Sequence, residues 1–371
     1  MLRGILDELE LRSLLLFALL SGGGNANQLP TAAVRCYEVA DRVPDVPRAV
    51  PSLWRIALYC THANRERALR TGERLLKYAR EVGNVGQMVA LLAITANCMI
   101  LEARYDEARE RAEETLRLYD AELHRQNAHL YGIDSKVHGH ILLALLLEIR
   151  GDPEGAAVEA EAGVAWAKFI DHPLSLGNAL IHLGCAHQAV NDWERVKAIT
   201  ANAMELASRH SLDFVRIFCG ILRGWAEHSP SDVDHWLTAT RATGLQGGLT
   251  YWLGVAAETH SASGDFEVAL DRVDEALQRV TKTGELYQLP ELLRHKATYL
   301  SRTLPATSDR PPKLLRQAIE LARQHGAKSS ELRSNALLER MQRPSGSEEI
   351  ASRPDCGATL VRDKEVSDAV C

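Results

Sequence analysis

The sequence predicts an all-α fold, a right-handed superhelix (an α-α solenoid) of about eight helical pairs over residues 1–341. Three observations predict it. A short corner pattern recurs along the chain, acidic residues beside those corners are spaced almost regularly, and apolar residues recur at helical spacing with no sustained period-two alternation.

The corner pattern is a small or turn-forming residue, an aromatic two positions later and a small aliphatic three after that. It stands as Gly264-x-Phe266-x-x-Ala269, Asn191-x-Trp193-x-x-Val196 and Ala103-x-Tyr105-x-x-Ala108. Weaker copies are Gly151-x-Pro153-x-x-Ala156 and Ala63-x-Arg65-x-x-Ala68. The first residue closes one helix, the aromatic wedges into the corner, and the small residue lets the next helix approach closely. Asp106, Asp152, Asp192, Asp232 and Asp265 lie 46, 40, 40 and 33 residues apart. A period of about 40 fits two helices of five turns or fewer each. The longest interval holds an insertion, Leu123 to Ser135, and the shortest marks a repeat that has lost about two turns. A second class of turn, at Glu81-Val82-Gly83-Asn84, Asp171-His172-Pro173, Lys282-Thr283-Gly284 and Gln324-His325-Gly326, starts each new pair. Ile141, Leu142, Leu145 and Leu146 show the helical apolar spacing. From Arg343 the chain changes character, with Pro344, Gly346, Pro354 and Gly357 among charges, so 342–371 reads as a disordered tail.

Composition narrows the function. A net charge of −6 and a pI near 6.2 are wrong for a nucleic-acid binder, which needs a basic face to displace counterions. Seven scattered cysteines with no C-x-x-C suit a reducing cytoplasm. The apolar run Leu14 to Leu20 is too short to span a bilayer and is flanked by Asp7, Glu8 and Glu10, so it reads as a first helix and not as a signal or membrane segment. Leu14, Leu15, Leu16, Phe17, Leu19 and Leu20 make that helix apolar nearly all round, which predicts that it self-associates or docks against another chain.

No constellation of residues meets the needs of catalysis or of a cofactor. The 14 histidines form no H-E-x-x-H and no cluster of zinc spacing, and His138 and His140, two apart on a helix, point to different faces. His182 and Cys185 share a helical face, but nothing supplies an oriented base and an oxyanion hole. There is no G-x-S-x-G, and Gly22-Gly23-Gly24 has no phosphate-loop continuation and reads as the loop after the first helix. The expectation is a protein that is not an enzyme, without metal or cofactor. The repeat register places Asn97, His138, Glu148, Asn178, Cys185, Gln188, Tyr251 and Glu258 on inner helices. Amides, carboxylates and an aromatic along a concave groove suit a protein or peptide partner.

Leu180-x-x-Leu183-Gly184-x-x-His187, followed by Trp193 and Val196, resembles the tetratricopeptide (TPR) consensus. Longer phrases resemble one family: Arg117-Leu118-Tyr119-Asp120, Leu130-Tyr131-Gly132-Ile133-Asp134, Ile221-Leu222-Arg223-Gly224-Trp225-Ala226, Thr283-Gly284-Glu285-Leu286-Tyr287 with Glu291-Leu292-Leu293-Arg294, and Ala327-Lys328-Ser329-Ser330-Glu331-Leu332-Arg333. That family is the TPR-like C-terminal region of bacterial signalling ATPases, in which an adenylate/guanylate cyclase or winged-helix domain and an NTPase module precede the repeats. The resemblance implies a cytoplasmic interaction or ligand-sensing scaffold. Because the chain has no G-x-x-x-x-G-K-[ST] loop, no winged helix and no cyclase segment, it is expected to be the repeat region alone, a relic, a split-gene product or a partner acting in trans.

Overall fold

A computed structural model describes residues 2–22, 28–244 and 246–343. Helices pair in chain order: α1 (Leu2–Ser21) with α2 (Gln28–Ala40), α3 (Val50–Ala63) with α4 (Arg65–Glu81), and α5 (Val85–Leu101) with α6 (Tyr105–Leu118). Two short helices follow, α7 (Ala121–His124) and α8 (Asn127–Tyr131). Then come α9 (Ser135–Arg150) and α10 (Pro153–Phe169), α11 (Pro173–Ala189) and α12 (Trp193–His210), α13 (Asp213–Ala226) and α14 (Pro230–Thr243). The chain continues with α15 (Leu249–Ala262) and α16 (Phe266–Thr283), α17 (Leu289–Thr303) and α18 (Arg310–His325), and a last helix α19 (Lys328–Gln342). This is an all-α solenoid of eight pairs and a closing helix, with no strand among the described residues. None of its helices is long and apolar enough to cross a membrane. The tail expected at 342–371 lies, from Pro344 on, outside the described residues, as does most of the Gly22–Gly24 loop.

The corners explain themselves locally. Ala103, Gly151, Asn191 and Gly264 all take positive φ, the left-handed conformation that ends a helix. Two of the four are not glycine, and each such residue costs about 1 kcal/mol of backbone strain. The small positions that follow, Ala108, Ala156, Val196 and Ala269, are buried at 1% exposure or less. Asp152, Asp192 and Asp265 cap the next helix by accepting a backbone N–H three residues on. At α14 the cap is Ser229, so Asp232 lies inside the helix. The shortened repeat is real: α13, α14 and α15 have 14 residues each, against 17 and 18 in α11 and α12.

The insertion is structural. Tyr131 meets Trp54 edge-on at 5.4 Å, and Arg55 Nη2 donates to Leu130 O at 2.6 Å. Asp134, fully buried, caps α9 and accepts from Tyr119 Oη at 2.6 Å and Trp166 Nε1 at 3.1 Å. The first helix is less uniformly free than its sequence implies. Leu16 is wholly buried and Phe17 covers Gly132, while Leu2, Leu11, Leu14 and Leu15 remain exposed.

The superhelix winds tightly enough to return on itself. The turn after α16 reaches α5, where Leu286 N donates to Leu101 O at 2.7 Å, and Arg65 Nη2 donates to Thr283 O at 2.9 Å. Tyr287, 9% exposed, joins a core with Met99, Ile100, Leu101, Leu142 and Leu146. From α19, Arg333 reaches α9. The inner helices therefore enclose a lumen.

Candidate functional site

Two chains of polar side chains meet in that lumen. In the first, Tyr251 Oη on α15 donates to Gln188 Oε1 on α11 at 2.9 Å. Gln188 Nε2 in turn donates to Glu258 Oε2, again on α15, at 2.8 Å. His295 Nε2 on α17 lies 3.1 Å from the other oxygen of Glu258. In the second, Arg333 Nη2 on α19 donates to Glu148 Oε1 on α9 at 2.9 Å. Its Nη1 stands 3.8 Å from Glu291 Oε2 on α17, which accepts from Arg294 Nε at 2.7 Å.

Five of the eight groove residues read from sequence are therefore gathered: Glu148, Cys185, Gln188, Tyr251 and Glu258, with Cys185 beside Tyr251. His138 is buried beside His182 instead, its Nδ1 without a partner. Asn97 and Asn178 carry no hydrogen bond among the described residues. Asn97 is the one residue between Val89 and Leu101 that is not fully buried. Asn178 sits two turns before Cys185 on α11 and so shares its face. Glu291, Arg294, His295 and Arg333 were not on the sequence list, although all but His295 fall within the phrases that carried the family resemblance.

The network is not sealed from solvent. Glu258 keeps 31% of its side chain open, Glu148 23% and Arg333 39%, although helices surround them. Burial works against the charge of Glu291, yet Arg294, Arg333 and His295 together hold its carboxyl well below the usual carboxylate range. Glu258 is likewise depressed, since His295 and Arg294 outweigh its burial. Glu148 goes the other way: burial raises it, Arg333 offsets only part of this, and Glu291 adds repulsion. Burial pushes the Cys185 thiol up to about 12, which makes it an inert apolar side chain and not a nucleophile. Three carboxylates thus face two guanidinium groups, and the lumen offers hydrogen-bond acceptors and amides to whatever enters it.

The architecture defines the class, a TPR-like helical-repeat solenoid. No family model matches the chain. An uncharacterized protein of Rhizobium meliloti (strain 1021) is 27% identical over 232 residues, which make up 60% of this chain but 22% of the relative's length. Among solved structures, a Rap protein complexed with Competence and Sporulation Factor superposes with a TM-score of 0.52 at 12% identity, covering 84% of this chain and 79% of that one. The apo form of RapI superposes with a TM-score of 0.50 at 13% identity, covering 69% of this chain and 93% of that one. At these identities the likeness is one of fold.

Proposed function

We propose that the chain is a non-catalytic scaffold that binds a protein segment or peptide in the lumen of its superhelix, in the cytoplasm and in the service of bacterial signalling. The observation that carries this reading is the partly solvent-exposed, charged network of Gln188, Tyr251, Glu258, His295, Glu148, Arg333, Glu291 and Arg294, held by six hydrogen-bonded or ion-paired contacts inside the superhelix. Polar groups that are pre-positioned and still solvated are what an incoming segment can engage without large reorganisation. A similarly folded Rap protein is complexed with Competence and Sporulation Factor, which is consistent with a solenoid of this shape holding another molecule. Asn97 and Asn178, unengaged amides on the inner helices, are assigned as direct contacts, and the buried groups around them as their support.

The relative that shares these repeats is several times longer than the matched region. This supports a placement beside further domains, as in the signalling ATPases that the sequence resembles. The alternative is a regulatory subunit that works in trans with a separately encoded ATPase, cyclase or transcriptional regulator. The exposed Leu11, Leu14 and Leu15 on α1 are proposed as a second, apolar docking face.

The test is the affinity of a partner isolated from the native host for the Asn97→Ala/Asn178→Ala double variant, measured alongside its thermal midpoint. Loss of two hydrogen bonds of about 0.5–1.5 kcal/mol each corresponds to roughly tenfold weaker binding or more. The midpoint is expected to hold. Unchanged affinity would remove the site from the lumen.

A further inference from the structure

The superhelix closes on a second feature, lined by residues other than those of the lumen network. A cavity of about 560 Å³ opens where the N-terminal repeats meet the C-terminal ones. His62, Asn64, Arg65 and Glu102 line one side, and Arg279 and Lys282 are on the other. Its charge is unbalanced. The two carboxylates in the wall are engaged by arginines that do not line it: Glu66 pairs with Arg70 at 3.2 Å and Glu102 with Arg104 at 3.3 Å. Arg65, with 8% of its side chain exposed, shares Glu102 at 3.4 Å.

Arg279 and Lys282 have no carboxylate within ion-pair distance among the described residues. Arg279 is partly buried and held only by Gln246, through Nη2 to Oε1 at 2.9 Å, and its Nε has no hydrogen-bond partner. His62 Nδ1 is buried and unpartnered as well. Glu285 and Glu275 act on Arg279 from beyond ion-pair distance, and burial raises the Glu285 carboxyl above the usual carboxylate range. A guanidinium partly taken out of water without a directly paired carboxylate is unfavourable, and buried polar atoms left unpaired call for a partner. The cavity also receives the start of α4, where Asn64 caps the amide of Arg67 and the helix leaves its first N–H groups without internal acceptors.

We propose that this cavity binds a small, multiply charged phosphate compound. Its anionic groups would sit among Arg65, Arg279 and Lys282 at the N-terminus of α4. The volume suits a molecule up to the size of a nucleotide. Arg65 comes from the second helical pair, and Arg279 and Lys282 come from the end of α16 in the seventh, so the ligand ties these two pairs together. Occupancy then sets how firmly the superhelix is closed.

The experiment uses the full chain, with inorganic pyrophosphate and ADP as probes, in isothermal titration at low salt. Citrate serves as a carboxylate control, and each addition is matched in ionic strength with sodium chloride. Saturable binding of pyrophosphate and ADP is expected, with a raised thermal midpoint and weakening by added salt. Lys282→Gln should bind about tenfold less tightly, since it removes a charge that no other side chain compensates. Lys282 is exposed and unpaired, so this variant keeps its fold. Lys282→Gln/Arg279→Gln should not bind, and Lys313→Gln, on a distant surface, should bind as wild type does. The proposal is overturned by the absence of saturable binding at millimolar pyrophosphate and ADP, by unchanged binding in the double variant, or by citrate binding as tightly as pyrophosphate.

Discussion

Replacing Gln188 with leucine should destabilise the solenoid by about 2–3 kcal/mol, although the residue lies in a groove where a polar side chain would ordinarily be expendable. Gln188 is 7% exposed and both ends of its amide are in use. Leucine leaves the Tyr251 hydroxyl without its acceptor, a neutral buried loss of about 1–2 kcal/mol. It also leaves Glu258 without the amide donor, a charged bond that is ordinarily stronger. Because Glu258 keeps 31% of its side chain open and His295 stands at its other oxygen, water and imidazole recover part of that loss, and about 1 kcal/mol remains. Urea denaturation followed by circular dichroism measures the sum, with Asn178→Leu on the same helix as the control. The control is expected within about 0.5 kcal/mol of wild type, because Asn178 has no hydrogen bond to lose. If Gln188→Leu were as stable as wild type while Asn178→Leu unfolded readily, α11 would be rotated from the position described and the relay would not exist.

Other consequences are equally direct. Burial, with His182 alongside, pulls the His138 imidazole down to about 4, so the unfolded chain takes up its proton first. Stability is then full at pH 7 and falls as pH drops through 6.5 toward 4, by about 2 kcal/mol at pH 5 for this one group. His138→Leu should flatten the pH dependence of stability by that amount, and an unaltered slope would show that the ring is solvated. A methyl group at Gly220 would overlap the Trp236 ring, so Gly220→Ala should cost about 1–3 kcal/mol in chemical denaturation, and a neutral result would mean that α13 and α14 stand further apart. Leu11→Glu/Leu15→Glu, at positions 69% and 56% exposed, should leave the thermal midpoint alone and abolish concentration-dependent self-association in sedimentation. A wild-type chain that sediments as a monomer at all concentrations would remove α1 as a docking face.

The corners could be read from sequence because each is a local event. A residue that accepts positive φ, a capping side chain and a small residue lie within six positions, and Gly264, Asp265 and Ala269 do the same work as Asn191, Asp192 and Val196. The acidic ruler worked for the same reason at Asp152, Asp192 and Asp265, and it slipped at Asp106 and Asp232, which lie inside helices whose N-cap positions are Arg104 and Ser229. The lumen was only half readable. Helical register puts Cys185 and Gln188 on an inner face, but it does not say that Gln188 meets Glu258, 70 residues on, past the whole of α13. That contact depends on curvature, which accumulates from small rotations between repeats. Arg333 was invisible as a groove residue for the same reason, since α19 faces α9 only after the superhelix has come round. The signal that pointed to it was the quoted phrase ending in Leu332-Arg333, read as family resemblance and not as chemistry. On α1, the run of leucines hid which face was inward until Phe17 was seen to cover Gly132.

The central claim is that the lumen, and not the outer surface, receives another protein. A photo-crosslinking amino acid at Asn97 or Asn178 in the chain produced in its native host tests it directly, with Glu205 on α12, 70% exposed at its side chain, as the outer-face control. The account predicts that both lumen positions crosslink to one and the same protein, with adducts on the partner confined to a short segment, and that Glu205 does not. Adducts from Glu205 with none from Asn97 and Asn178 would contradict it.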